Sequence, residues 1–148
     1  MNTIYATEPV ILVGRSIFLA GPTPRSQEVP SWRPQALDLL EKMNFGGTVL
    51  VPERRGDRNY DFRSQVEWEW EGLEGCDKIV FWVPRELKTM PAFTTNVEFG
   101  SYVRSGRALY GRPDGCPKND YLDWLYEKVT KEKPYNDLHQ LLLRARFV

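Results

Sequence analysis

Short, nearly unbroken apolar runs alternate along this chain with longer stretches in which apolar residues recur every three or four positions. The short runs are 16–20, 48–51, 78–83 and 107–110. A strand covered on both faces reads in this way, because neither face meets water. The longer stretches predict helices. Ser31 reads as the N-cap of a helix over 32–43, whose apolar positions are Ala36, Leu37, Leu39, Leu40 and Met43. Further helices are expected over 61–75, 95–105 and about 120–131, and Pro134 is expected to open a last one. Two apolar segments, 4–6 and 10–13, flank Glu8-Pro9 and predict a short N-terminal hairpin.

Alternation of strand and helix implies an α/β protein: a parallel sheet with helices on both faces. Four strong strands and a weaker N-terminal one are expected. The 148 residues are enough for one domain, 1–148, with a real core. In such a sheet the loops after the strands line the ligand crevice. Here they are 21–31, 52–60, 84–95 and 111–117.

Charge narrows the partners. Lys+Arg and Asp+Glu are both 20, so no basic field invites nucleic acid. Two cysteines, Cys76 and Cys116, and one histidine, His139, have no metal-ligand spacing. No metal and no cofactor are expected, and Cys76 reads as a small buried residue. The first twelve residues lack a basic region followed by a long apolar run, and no stretch approaches membrane-spanning length. A cytoplasmic protein with no membrane partner is expected.

Two glutamates carry the candidate chemistry. Val66, Trp70 and Leu73 recur at helical spacing and mark an expected inward face. Glu69 lies on that face, with Gln65 one turn before it. A carboxylate there is costly unless it is paired or borders a cavity. It either reaches solvent at the stripe's edge, pairs with an arginine, or serves a site. Glu98 lies in Thr95-Asn96-Val97-Glu98, which matches a capping box. Placed instead in the first turn of a helix at the sheet's C-terminal edge, it would be held ionised by the helix N-terminus. An ionised, positioned glutamate is what a reaction through a sugar cation needs. Asp77, at the opposite edge, reads as structural. Arg25, Arg33, Arg54, Arg55 and Arg58 fall in or near the first two ligand-side loops, where they either bind phosphate or are solvated. Neither GxGxxG nor GxxxxGK[ST] occurs, which argues against a dinucleotide site and a P-loop. No Gly-x-Ser-x-Gly elbow occurs either.

Four motifs together resemble the short branch of the nucleoside 2-deoxyribosyltransferase family. They are Ile17-Phe18-Leu19-Ala20-Gly21-Pro22, then Gln65-Val66-Glu67-Trp68-Glu69 leading to Leu73 and Cys76-Asp77, then Phe81-Trp82-Val83-Pro84, then Thr95-Asn96-Val97-Glu98-Phe99-Gly100. They span about 16–111 and occur in the family's order. The resemblance implies a flavodoxin-like sheet and a nucleophile, Glu98, that attacks the anomeric carbon of a 2'-deoxynucleoside. A covalent deoxyribosyl-enzyme forms and a second base takes the sugar. Counting eight positions back from Asp77 gives Glu69 as the family's second acid, which binds sugar hydroxyls or protonates the leaving base. Asn96 is implied to orient sugar or nucleophile. Phe18, Gly21, Pro22, Gln65 and Trp82 complete the expected substrate-binding set.

Two positions depart from the family pattern. A tyrosine that touches the nucleophile is replaced by Phe18, and a base-contacting aspartate is missing near Ala92. Trp82, Phe93 and Trp32 are candidates to stack on a base instead. The resemblance also implies a homo-oligomer with shared sites, to which 111–124 is the candidate contributor. Three readings stay open: base exchange, hydrolysis of a nucleoside or its 5'-monophosphate by the same glutamate, and a non-catalytic nucleotide-binding module. A phosphate-binding set of Ser26, Ser31, Arg25 and Arg33 would favour the nucleotide hydrolase.

Overall fold

A computed structural model describes residues 1–56 and 61–147. Five strands form one fully parallel sheet: β1 (Asn2–Tyr5), β2 (Ser16–Ala20), β3 (Thr48–Val51), β4 (Lys78–Trp82) and β5 (Ala108–Gly111). Their order is β1-β3-β2-β4-β5. Without β1, the remaining four follow the flavodoxin order 2-1-3-4. Connections from β2 and from β4 leave in opposite directions, so the sheet's switch point lies between these two neighbours. Phe18 pairs with Ile79 and Ala20 with Phe81 across that seam.

Strand residues alternate between two cores, as the pleat requires. Phe18, Ala20, Leu50, Ile79, Phe81 and Tyr110 face α2 (Phe62–Gly75), α3 (Phe93–Tyr102) and α4 (Asp120–Thr130). Ile17, Leu19, Val49, Val51, Val80, Trp82 and Leu109 face α1 (Arg33–Lys42) and α5 (Leu138–Phe147). Both faces are therefore covered, and the flavodoxin-like α/β architecture read from the sequence is the one observed. Asp77 accepts bonds from the Ser16 N–H (2.8 Å) and hydroxyl (3.0 Å), tying the starts of β2 and β4 together. This is the structural role expected of it. Cys76 and Cys116 are both free thiols, and burial pushes Cys76 up to about 11. No helix among the described residues is long and apolar enough to cross a membrane.

Four local expectations are corrected. The N-terminal hairpin does not form: β1 pairs in parallel with β3, Asn2 against Thr48 and Tyr5 against Val51. Residues 10–13 are not a strand, and Val10 and Leu12 pack onto the core that α2 covers. The Trp68 indole N–H donates to the Glu8 carbonyl at 2.8 Å and pins this strap. The last helix begins at Leu138 rather than Pro134, since Tyr135 first bridges to Gly111 along the outer edge of β5. Helix α1 has Trp32 at its N-cap, and the Ser31 hydroxyl accepts from the Arg33 N–H two residues on.

The fourth correction concerns α2. Val66 is 42% exposed and Trp70 64%, so neither belongs to its inward face. Trp68, Gly72 and Leu73 do, with Gln65 and Glu69 at the same stripe's upper end. The reason is Gly72. A Cβ there would lie 2.9 Å from the Phe18 ring and 3.3 Å from Leu50. The missing side chain lets α2 rest directly on Phe18, and this sets the helix's rotation. Gly72→Ala is expected to destabilise the fold by about 1–3 kcal/mol by overpacking, despite the better helix propensity of alanine. A urea midpoint unchanged from the parent would show that Phe18 can move aside.

Candidate active site

A cavity of about 330 Å³ opens at the switch point, within the roughly 300–1,000 Å³ usual for small-ligand sites. Its floor is Gly21, Pro22 and Thr23 after β2, and Pro91, Ala92 and Thr95 at the start of α3. Glu98 of α3 and Gln65 and Glu69 of α2 form its walls, and Phe62, Val66 and Phe93 its apolar rim. A second, more polar lobe continues past Gln65 and Glu69 to Glu53 and Arg54. Gly21 has φ +138, and a Cβ there would strike the Trp82 carbonyl at 2.1 Å. Only glycine lets the chain leave β2 so close to β4.

The two glutamates meet here from separate helices. Helix α3 starts at Phe93, with Ala92 as a left-handed N-cap (φ 62) that carries no side-chain cap. The capping box is thus overturned: Thr95 lies inside the helix, and Glu98 lies in the second turn rather than the first. That position weakens the help the helix N-terminus gives a charge. Burial pushes the Glu98 carboxyl up to about 8, the charge of Glu69 pushes the same way, and Arg33 pulls back less. Burial thus works against the ionised form expected of Glu98, and near neutral pH the free fold favours its protonated carboxyl. Among the described residues nothing hydrogen-bonds to it, as the phenylalanine at position 18 led us to expect. Glu69 is also raised by burial, opposed by a 3.0 Å bond from Gln65 Nε2 and by Arg33. The two carboxyls are therefore coupled, and the steps in which they titrate belong to the pair.

Other expected site residues separate into two groups. Gly21, Pro22 and Gln65 line the cavity. Gln65 Nε2 also reaches the Pro52 carbonyl at 3.3 Å, while its buried Oε1 has no partner among the described residues. Phe18, Trp82 and Asn96 do not line it. Phe18 is core, 5.9 Å from the Trp68 ring. Trp82 faces the α1 and α5 side, as does Trp32, whose indole N–H donates to the Pro22 carbonyl. Of the three proposed stacking rings only Phe93 is at the site, exposed and with the Arg25 guanidinium 6.0 Å from its centroid. Asn96 Oδ1 accepts from Arg85 at 2.6 Å, away from the cavity.

The loop arginines are spoken for in different ways. Arg33 is 1% exposed and donates to the carbonyls of Leu19 (3.0 Å) and Gly21 (2.7 Å) and to the Thr23 hydroxyl (2.8 Å). It also pairs with Glu53 at 3.2 Å. It holds the loop that forms the floor and is not free for a phosphate. Arg55 pairs with Glu8. Ser31 donates to Glu53, and Ser26 accepts from the Glu28 N–H. Arg25 alone of the proposed anion set lines the cavity unengaged by a carboxylate, and Arg58 lies outside the described residues. Phe62 and Val66 were not expected at the rim. An apolar residue at the first turn of a helix after a ligand-side loop is the only signal the sequence offered. Among the described residues no group of three or more His, Cys, Asp and Glu side chains is placed to hold a metal ion.

Fold and site together define a flavodoxin-like α/β protein with a carboxyl pair at its switch point. A family model described as nucleoside 2-deoxyribosyltransferase like matches residues 14–116. The chain belongs to that family. Membership implies an enzyme acting on small nucleosides or nucleotides and is consistent with base-exchange transfer in general. No curated protein matches the chain.

Proposed function

We propose that the protein exchanges the base of a 2'-deoxynucleoside, with Glu98 as nucleophile. The observation that carries this reading is the convergence of Glu98 and Glu69, from two helices, on one switch-point cavity. The Glu98 carboxylate attacks the anomeric carbon as the N-glycosidic bond breaks. The bonding electrons leave with the base, which takes a proton. A second base then attacks the same carbon, loses its proton and releases Glu98. Two inversions return the original configuration. Glu69 binds the sugar hydroxyls or, in its protonated form, supplies the leaving base's proton, and the Glu98 carboxylate faces the cationic sugar. Phe93 offers a face for the base. The exposed rim of Phe62, Val66 and Phe93, continued by Trp70 and Val97, supports a homo-oligomer in which a neighbouring copy closes the cavity.

Hydrolysis of a nucleoside 5'-monophosphate by the same glutamate is the second reading. What favours it is the uncapped start of α3. Thr95 is 3% exposed and lines the cavity, its hydroxyl has no hydrogen bond among the described residues, and Arg25 lines the same cavity. Free N–H groups, hydroxyls and an arginine there suit an anion.

Chromatography of the protein with 2'-deoxynucleosides, with and without a different free base, separates these readings. Base exchange requires a new nucleoside that appears only with the acceptor base. Free base without a new nucleoside means hydrolysis instead, and preference for a 5'-monophosphate assigns the start of α3 to phosphate. No product in any tube leaves a binding module.

A further inference from the structure

Arg85 is 4% exposed, yet among the described residues no carboxylate pairs with it. A buried guanidinium without a counter-charge is costly, and its hydrogen bonds must compensate. They go to three places. Nε donates to Asn119 Oδ1 at 2.9 Å, Nη1 to the Pro91 carbonyl, and Nη2 to Asn96 Oδ1. Asn119, the N-cap of α4, donates in turn to the Val83 carbonyl at 3.1 Å. One side chain thus joins the end of β4, the turn before α3, the body of α3 and the start of α4.

The turn it grips is under strain. Ala92 is left-handed, which an alanine adopts only when its surroundings hold it there, and Arg85 holds the carbonyl just before it. Position along α3 completes the argument. A helix advances about 100° per residue, so Asn96 and Glu98, two apart, project from nearly opposite sides. Arg85 fastens the back of α3 while Glu98 enters the cavity from its front.

We propose that Arg85, acting through Asn96 and the Pro91 carbonyl, is a positioning residue that fixes the rotation of α3 and so aims the Glu98 carboxyl. The proposal rests on Glu98 as nucleophile. It explains why Asn96 lies away from the cavity: the side chain is the handle by which the helix is held.

The test compares Asn96→Ala, Asn96→Asp and Arg85→Lys with Glu98→Gln, each checked for folding by circular dichroism. Asn96→Ala is expected to lower kcat about 10- to 100-fold with KM within about threefold, the cost of a nucleophile misplaced by a fraction of an ångström to an ångström. Asn96→Asp keeps the acceptor and returns kcat to within about threefold of the parent. Arg85→Lys keeps the charge but not the three-way fork, and loses at least as much kcat as Asn96→Ala. The pH profile of kcat/KM should also move to lower pH in Asn96→Ala, as water reaches the loosened carboxyl. An Asn96→Ala protein with a lower Tm but parental kcat and pH profile overturns the proposal and leaves a purely structural clamp. Turnover by Glu98→Gln removes the nucleophile reading and the proposal with it. An inactive Glu98→Gln beside a fully active Asn96→Ala removes the proposal alone.

Discussion

Glu98→Gln is expected to lose turnover by about a thousandfold or more and, at pH 8, to be more stable than the parent. The two effects have one cause. The Glu98 carboxyl is pushed up to about 8 in the fold, against an ordinary value of 4.5. The folded protein therefore holds this proton more tightly than the unfolded chain does. Below about pH 4.5 both states carry the proton and it favours neither. Between 4.5 and 8 the unfolded chain releases it while the fold retains it, so stability falls as pH rises, by up to about 1.4 kcal/mol per pH unit. Above 8 the loss is complete. Glutamine cannot ionise and escapes it, so the variant should gain about 2–4 kcal/mol at pH 8 and almost nothing at pH 4.5. Urea unfolding at the two pH values measures this. An equal change at both would mean that packing, not ionisation, separates the variants. The same carboxyl sets the rate profile. The attacking form is the ionised one, so kcat/KM of the parent should rise with pH through about 8. Glu69→Gln removes the like charge, moves that limb to lower pH and slows glycosidic cleavage. A limb that stays in place would mean that Glu69 does not act on Glu98.

The largest loss of stability is expected at Arg33. Arg33→Met deletes the donors that satisfy the Leu19 and Gly21 carbonyls and the Thr23 hydroxyl, and leaves Glu53 with the Ser31 hydroxyl but without its cation. Burial lowers the guanidinium's pKa and Glu53 opposes it, so the cation is held by its surroundings rather than by water. Removing one side of such a buried arrangement costs about 3–5 kcal/mol. Where Arg33→Met fails to fold, Arg33→Lys, which keeps the charge for Glu53 but loses the fork, should fold with about half that loss. An unfolding midpoint within error of the parent for either variant would show that the loop after β2 is held by something else.

These residues also mark where the sequence was legible. Strands β2 to β5 could be read because burial on both faces removes the polar half of the pattern, although the equally unbroken Val10-Ile11-Leu12-Val13 is not a strand. Strand β1 was misread as half of a hairpin because its true partner lies beyond β2 and α1 in sequence, and a parallel pairing leaves no local turn signal. On α2 the apolar residues Val66 and Trp70 outweighed Gly72, whose importance comes from the Phe18 ring beneath it and not from its own hydrophobicity. Helix α3 was started two residues late because a left-handed alanine has no propensity signature. Family resemblance picked out both glutamates, while the helical spacing that also pointed to Glu69 rested on Val66 and Trp70, which are exposed. The protonation of Glu98 was not legible, since it comes from burial by segments distant in sequence. Arg85 was overlooked for a related reason: an arginine just after a strand looks solvated until the neighbouring helix is placed over it.

The pairing of β1 has a bearing on the order in which the molecule can assemble. Asn2 meets Thr48, so β1 is synthesised well before the strand that receives it exists. Loop closure over that distance must precede any hydrogen bond it can make. Its edge position means that β2, β3, β4 and β5 pair without it. The first strand in the chain is thus an addition to the edge of a sheet whose ligand-binding end, between β2 and β4, does not depend on it.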